Sequence, residues 1–406
     1  MINLSTNSNI QMSRVGLFPQ EEMLETGKAQ RQITIGIPKE TSRYESRISL
    51  TPQAVEMLVM NGNQLIIESG AGDDANYSDM LYADAGASIV NSKKEVYDCE
   101  IVLKVAPLTL SEIELLKNRQ TVISSVNIST QNSDNFRKLM EKKVTAIGFE
   151  YIKDQYDDRP VLRCMSEIAG RASIMVASEL LSNANKGKGI LLGGVTGISP
   201  TEVAILGAGT ASEYAARAAL GLGAIVKVFD SSTHKLRNLQ RNLGHSIFTS
   251  VLQPKVLSKT LKSTDVLIGA MHYYDHQQPF PITEDMVRQM KKGSIIIDLN
   301  IDNGSCFETA RITDHGNPTF VKHDIVHYCV PNIASRFART ASIALSNVFA
   351  PLLMDICVCG GITQTLKDNT GFRQGVYLFN GILTNQFIGK IFNIKAQDIN
   401  LLITVL

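Results

Sequence analysis

The chain lacks a charge imbalance: across 406 residues, 40 Lys and Arg stand against 39 Asp and Glu, a formal net charge of +1. A nucleic-acid binder needs a basic face to displace counterions from phosphates, so this balance gives that class no support. No apolar run reads as reaching the roughly 18–20 residues that span a bilayer, and no membrane partner is expected. The first 30 residues have no continuous apolar core and do not read as a signal peptide. They are polar and uneven, and residues 1–32 are expected to form an extension ahead of the fold. Cysteine is sparse and scattered (Cys99, Cys164, Cys306, Cys329, Cys357 and Cys359) with no Cys-x-x-Cys pair. Free thiols in a reducing cytoplasm are the expectation. Histidine is missing from the first half, and all seven fall between His234 and His327. His272 and His276 are four apart, but their surroundings are turn-like and no third ligand is evident, so no metal is expected. Internal repeats and low-complexity tracts are also missing.

What is present is a long alternation of strands and helices. Strands are expected at 33–37, 64–68, 101–105, 121–126 and 144–149, with helices over 52–60, 110–117 and 132–142. A long Ala-, Ile- and Leu-rich helix follows over 166–184, then a Gly-rich passage from Gly187 to Gly197. Further strands are expected at 265–269 and 294–299 with a helix near 283–291, and a last helix runs from about Thr340 to Met354. The chain is too long for one ordinary core. The fold class predicted is α/β: two Rossmann-like domains with parallel sheets flanking a cleft, and C-terminal helices returning to the first domain. Residues 33–160 with 337–406 would form a substrate domain, and 161–336 a nucleotide domain. A substrate is expected between the two.

Residues 202–230 carry the strongest single motif. An apolar run (Val203 to Leu206) enters a Gly-x-Gly turn at Gly207 and Gly209. An Ala-rich helical run follows, and then a second apolar run, Ile225 to Phe229, ends in Asp230. This is the strand–turn–helix–strand of a dinucleotide-binding unit. Gly207 allows the tight turn, and Gly209 lets the backbone approach a pyrophosphate at the positive end of the helix. Ser212 takes the third glycine position, small enough for close packing. Asp230 is placed to accept hydrogen bonds from a ribose diol and to repel a 2′-phosphate, which points to NAD rather than NADP.

Several blocks resemble one family in order. Ile-Gly-Ile-Pro-Lys-Glu-Thr-Ser-Arg-Tyr-Glu-Ser-Arg-Ile-Ser-Leu-Thr-Pro (35–52) is similar to the N-terminal block of the alanine dehydrogenase and NAD(P) transhydrogenase α-subunit family. Val-Leu-Lys-Val (102–105), Met-Ser-Glu-Ile-Ala-Gly-Arg (165–171), Asp-Asn-Gly-Ser-Cys-Phe-Glu-Thr (302–309) and Val-His-Tyr-Cys-Val-Pro-Asn (326–332) resemble it too. The resemblance implies an NAD-dependent enzyme that deaminates L-alanine to pyruvate and ammonia, in the cytoplasm, as a homohexamer. It implies that Arg47 binds the substrate carboxylate, where a guanidinium can offer a bidentate fork. It gives Lys104 the substrate's oxo and carboxylate oxygens, and Asp302 the role of active-site aspartate. On the cofactor side it implies Ser166 near the phosphates, Lys235 near the adenosine ribose, and Met271, Asn332 and Ile333 flanking the nicotinamide.

One position departs from the family. In alanine dehydrogenases the strand here reading Thr-Val-Ile-Ser-Ser-Val-Asn ends in a histidine that does acid–base chemistry; this chain has Asn127. An amide cannot titrate near neutral pH. Proton transfer would then fall to Asp302, with Asn127 orienting the intermediate. Two other readings stay open: a catalytically altered NAD-binding regulatory homologue, and a transhydrogenase NADH-binding subunit. The latter is disfavoured by Val-Leu-Arg-Cys-Met-Ser-Glu ahead of the Ile-Ala-Gly block.

Overall fold

A computed structural model describes residues 31–271 and 281–404. The first sheet takes strands β1 (Thr34–Ile37), β2 (Gln64–Glu68), β3 (Ser88–Val90), β4 (Ile101–Leu103), β5 (Thr121–Ser124) and β6 (Thr145–Gly148). The second takes β7 (Glu202–Leu206), β8 (Ile225–Phe229), β9 (Phe248–Ser250), β10 (Val266–Gly269), β11 (Ile295–Asp298), β12 (Thr319–Lys322) and β13 (Ile325–Tyr328). Two late strands, β14 (Val376–Phe379) and β15 (Ile382–Leu383), return to the first sheet. The spatial orders are β15-β14-β6-β5-β4-β1-β2-β3 and β12-β13-β11-β10-β7-β8-β9.

Pairing is parallel throughout both sheets except where β12 meets β13, β14 meets β6 and β15 meets β14. Parallel strands buried on both faces read as unbroken apolar runs. Accordingly β4, β10 and the Ile-Ile-Ile-Asp of β11 are buried along their whole length. Each sheet reverses its strand order beside its first strand, at β1/β4 and at β7/β10. In an open parallel sheet the loops leaving the strand ends part at such a point and leave a crevice. These two crevices fix where chemistry can occur.

The C-terminal helices return to the first domain as expected, and β14 and β15 come back with them. Val376-Tyr377-Leu378-Phe379 is short and follows helical sequence, so periodicity alone does not reveal it. The long helix leaving the first sheet spans Pro160–Leu181 and so begins ahead of the expected start. Proline suits a first helical position because its missing N–H would be unsatisfied there anyway.

The expectation about apolar runs needs correction. The span Ile333–Val358 is long and apolar enough, by length and composition, to cross a bilayer. Its helix Ala338–Val358 packs into the core of the first sheet, where Leu345, Phe349, Leu353 and Ile356 are wholly buried with Val55 and Leu58. Half of the apolar window is buried inside the fold. A helix apolar on all sides is a core helix as readily as a membrane one.

Candidate active site

At the second crevice the backbone sets the geometry. Gly207 has φ +102°, and a Cβ there would sit 2.5 Å from the Ala270 carbonyl oxygen. Only glycine accepts both the conformation and the contact. Gly209 caps the N-terminus of the helix Thr210–Gly221, and no atom lies within 4 Å of where its Cβ would be. That open cradle sits where unpaired helix N–H groups favour an anion. Asp230 is buried at the end of β8; its Oδ2 accepts the Ala208 N–H at 2.8 Å and its Oδ1 the Ser232 N–H at 2.7 Å. A carboxylate has lone pairs for about four hydrogen bonds, so two contacts with the turn leave capacity for a diol. Ser212 is wholly buried with its hydroxyl unpartnered. On another side this helix is approached by Gly170 of the helix Pro160–Leu181, whose Cβ would meet the Ala211 carbonyl oxygen at 2.2 Å.

The flanking residues sit around this turn. Met271 lies against Gly207, its Cβ 3.2 Å from where a glycine Cβ would be. Ser166 is half-buried on the helix Pro160–Leu181. Lys235 is exposed, and its backbone N–H is capped by Ser232 Oγ at 3.3 Å. Ile333 is buried, and Asn332 joins the two halves: its Nδ2 donates to the Tyr44 carbonyl at 3.2 Å. His272 and His276 lie outside the described residues. Among the described residues no group of three His, Cys, Asp or Glu side chains gathers to hold a metal.

At the first crevice, side-chain charge sets the geometry. Arg47 follows β1 and is mostly buried, with 14% of its side chain exposed. Its Nε and Nη2 donate to the two carboxylate oxygens of Glu45, at 2.7 and 2.5 Å. Burial alone would raise the Glu45 carboxyl, but the Arg47 charge and hydrogen bonds outweigh it and hold it below the ordinary range. Among the described residues Arg47 Nη1 has only the Met165 thioether, at 3.4 Å. A thioether is a weak acceptor, so this edge of the guanidinium is the one that an incoming carboxylate can take. The fork expected for substrate is thus partly engaged within the chain.

Lys104 has partners other than those the resemblance implies. Its side chain is wholly buried, and Nζ donates to both Glu112 oxygens at 3.0 Å and faces Glu40 Oε2 at 3.4 Å. Glu112 belongs to a capping box with Thr109 and accepts Thr41 Oγ1 at 2.9 Å. Burial raises the Glu112 carboxyl, yet the Lys104 charge and the hydrogen bonds from Thr109, Lys104 and Thr41 together outweigh it and lower it. Enclosed by the Glu112 and Glu40 carboxyl groups, the ammonium has no exposed edge in this arrangement. Its geometry is that of a strut beneath the crevice.

Glu40 was missed by sequence reading, although it lies inside the Ile-Pro-Lys-Glu block. Its Oε1 accepts the Val105 N–H at 2.6 Å and the Ala106 N–H at 3.3 Å, so it bridges the loops after β1 and β4 across the reversal of strand order. Its Oε2 has no hydrogen bond. Burial pushes its pKa up to about 7 against the pull of Lys104, and Glu45 adds to the rise. Glu150 repeats the pattern one strand along: Oε1 accepts the Val126 N–H at 2.7 Å, Oε2 is buried without a partner, and burial raises its pKa.

Asn127 stands where β5 ends, with φ +39°, and its carbonyl accepts the Thr130 hydroxyl at 3.0 Å. The turn it opens, Ile128–Thr130, packs against the turn Ile301–Asn303 that carries Asp302. The two crevices therefore meet at Asn127 and Asp302. Burial raises the pKa of Asp302 to about 6, with a further rise from Asp298. Asp298, with its Oδ2 unpartnered, is likewise raised by burial to about 6.

Comparison with known proteins agrees with this layout. Residues 36–169 match the alanine dehydrogenase/PNT N-terminal domain, and residues 173–386 the corresponding C-terminal domain. The chain belongs to the alanine dehydrogenase/PNT family. It is 38% identical over 368 residues to an alanine dehydrogenase of Staphylococcus saprophyticus, covering 90% of this chain and 98% of the relative. It is 36% identical over 357 residues to the alanine dehydrogenase of Bacillus subtilis, covering 88% and 94% of the two chains. A solved L-alanine dehydrogenase superposes with a TM-score of 0.83 at 32% identity, covering 89% and 99%. A transhydrogenase from Sinorhizobium meliloti shares the fold, with a TM-score of 0.72 at 20% identity.

Proposed function

We propose that the protein is an NAD-dependent alanine dehydrogenase, catalysing the reversible oxidative deamination of L-alanine, or a related small amino acid, to the 2-oxo acid and ammonia. The observation that carries this reading is the meeting of the two crevices: the turn opened by Asn127 packs against the turn that carries Asp302, and Asn332 bonds the Tyr44 carbonyl in the loop of Arg47. Similarity to alanine dehydrogenases along nearly the whole chain supports it. In this reading residues 33–160 and 337–406 form the substrate domain, 161–336 the NAD domain and 1–32 an extension. A homohexamer rests on family likeness alone, and a cytoplasmic setting is supported by six unpaired cysteines.

The residues fit NAD. The open cradle at Gly209 suits a pyrophosphate, and Asp230 suits a ribose diol while opposing a 2′-phosphate. When bound, NAD supplies the acceptor for the Cα hydride. Arg47 Nη1 exchanges the Met165 thioether for the substrate carboxylate while Glu45 keeps the guanidinium in place. Lys104, acting through Glu40 and Glu112, holds the loop ends rather than the substrate. Water adds to the imine carbon of the oxidised substrate to give a carbinolamine, whose C–N bond then breaks to leave the 2-oxo acid and ammonia. Asp302, with a pKa of about 6, can take a proton from the attacking water and pass it to the departing nitrogen near neutral pH. Asn127 orients the same carbon's substituents by hydrogen bonding and moves no proton.

The test is alanine-dependent NAD reduction by the natural chain, beside Asp302→Asn and Asn127→His. Asp302→Asn is expected to lower kcat by about 10²-fold or more, as removal of a general acid–base group does. Asn127→His is expected to change kcat by less than about tenfold and to add an ionisation near pH 6.5 to the pH–rate profile. A natural chain that binds NAD but reduces no 2-oxo acid would favour a catalytically altered NAD-binding homologue. Asn127 and the enclosed Lys104 are the observations behind that second reading.

A further inference from the structure

The loop carrying Arg47 is held from the other end of the chain. Three serine hydroxyls beyond residue 334 accept its backbone N–H groups: Ser335 Oγ takes Ser46 at 2.8 Å, Ser342 Oγ takes Ile48 at 2.9 Å, and Ser346 Oγ takes Thr51 at 3.1 Å. Ser342 and Ser346 lie on the buried face of a core helix and act as packing. Ser335 does more. It sits in the turn Ile333–Phe337, two residues past the Asn332–Ile333 pair, and is 5% exposed. Its single hydroxyl proton faces the Tyr44 carbonyl at 2.9 Å and Glu45 Oε1 at 3.3 Å. Asn332 Nδ2 donates to the same Tyr44 carbonyl at 3.2 Å. The Asn332 carbonyl lies 3.2 Å from His315 Nε2, and the His315 ring meets Tyr44 edge-on. Tyr44 itself holds φ +65°, a strained backbone for a bulky residue. One hydroxyl thus touches the residues on both sides of Glu45 and Glu45 itself, and Glu45 is what aims Arg47.

We propose that Ser335 is a positioning residue that ties the Glu45–Arg47 pair to the Asn332–Ile333 segment, so that occupancy of the nicotinamide site sets the aim of the substrate-binding arginine. This rests on the alanine dehydrogenase reading for its substrate. The coupling itself needs only NADH. A nicotinamide settling against Asn332 and Ile333 fixes the turn that holds Ser335. Ser335 then fixes Tyr44, Glu45 and Ser46, and the guanidinium follows Glu45. Without the hydroxyl, the Ser46 N–H loses its acceptor and Glu45 a donor, while the Arg47–Glu45 ion pair remains.

The test compares Ser335→Ala and Ser335→Thr with Ser346→Ala as a packing control. Ser335→Ala is expected to raise KM for pyruvate about tenfold, the equivalent of ~1.4 kcal/mol, with kcat and the Kd for NADH within about twofold. Ser335→Thr, which keeps the hydroxyl, is expected to restore KM. Ser346→Ala is expected to lower Tm without moving KM. In hydrogen–deuterium exchange, NADH alone should slow the amides of residues 44–47 in the natural chain and not in Ser335→Ala. An unchanged KM in Ser335→Ala, or NADH protection of 44–47 that survives the substitution, overturns the proposal. Should the natural chain turn over no 2-oxo acid, the dehydrogenase reading falls, and the exchange experiment with NADH still decides the role of Ser335.

Discussion

The cofactor crevice and the substrate crevice occupy equivalent places in two similar sheets, yet they are held by different means. Around Gly207–Gly209 the contacts are backbone to backbone, or one carboxylate to two N–H groups. Around Arg47 they run between buried ionisable side chains: Arg47 with Glu45, and Lys104 with Glu112 and Glu40. The first arrangement leaves the space for a rigid, strongly acidic ligand open in advance. The second encloses Lys104 altogether and holds Arg47 on Glu45, leaving the Nη1 edge of the guanidinium against the Met165 thioether. A bound pyrophosphate gains from a preformed cradle, whereas a lone arginine in a dry crevice would carry an uncompensated charge. Glu45 removes that cost and leaves one edge of the guanidinium to exchange.

The sharpest break of this comparison is Arg47→Lys. A lysine can neither hold both Glu45 oxygens nor keep a second edge for substrate. The expected loss in kcat/KM is on the order of 10²-fold, at the low end of the ~3–5 kcal/mol that breaking a buried ion pair costs. It should fall on the Michaelis constant for alanine or pyruvate, and fluorescence titration should find NADH affinity unchanged. An unaltered Michaelis constant would remove Arg47 from the site.

A smaller effect separates the two glycines of the other crevice. Gly209→Ala fills only open space in the protein itself, so Tm should move by no more than a few degrees, as an N-cap change does. NAD affinity should fall by about tenfold or more, since the new methyl stands where the pyrophosphate must approach. Gly207→Ala should do the reverse in kind, lowering Tm first, because φ +102° and the Ala270 carbonyl both reject a Cβ. If Gly209→Ala left NAD binding intact, the cradle would not be the phosphate site.

The same division explains what the sequence could reveal. The nucleotide turn is local: strand, glycines, helix and Asp230 lie within one continuous stretch, and each has a backbone reason to be where it is. The central parallel strands are equally legible because they are unbroken apolar runs, whereas the outer parallel strands β3 and β9, partly exposed Ser-Ile-Val and Phe-Thr-Ser, and β13 carry too weak a pattern to be read. β14 is not, since four residues after a series of helices carry no period of their own, and its pairing with β6 joins residues far apart in sequence. The substrate side is non-local in the same way. Lys104 reads as a strand-end cation, and nothing nearby signals that Glu40 and Glu112 will enclose it. Ser335 and Glu45 are ordinary in sequence and become informative only once the chain's last third folds against its first. Arg47 and Asp302 were reached through family likeness rather than through any physical pattern in the residues around them.

The finest distinction lies in the protonation of Glu40. Its carboxyl stays protonated to about pH 7 in the folded protein, against an ordinary value of 4.5. A raised folded pKa contributes stability that is complete below the unfolded value and is lost as pH rises through the folded one. Between pH 5 and 8 the natural chain should therefore lose stability relative to Glu40→Gln. The loss is on the order of 3 kcal/mol, since a tenfold change in proton affinity is worth about 1.4 kcal/mol. Charged groups acting on Glu40 are Lys104, Glu45 and Arg47, and the variant keeps all three with Lys104 still paired to Glu112. Asp298 and Asp302, raised to about 6 by burial, fall in the same window. His327, lowered to about 4 by burial, works in the opposite sense below about pH 6.5. All three titrate alike in both proteins and cancel from the difference. Thermal melts of the pair across this range should thus diverge as pH rises, with Glu40→Gln the flatter curve. Parallel curves would mean that Glu40 is ionised throughout. Lys104 would then sit between two full negative charges, and the substrate crevice would rest on a net anionic strut.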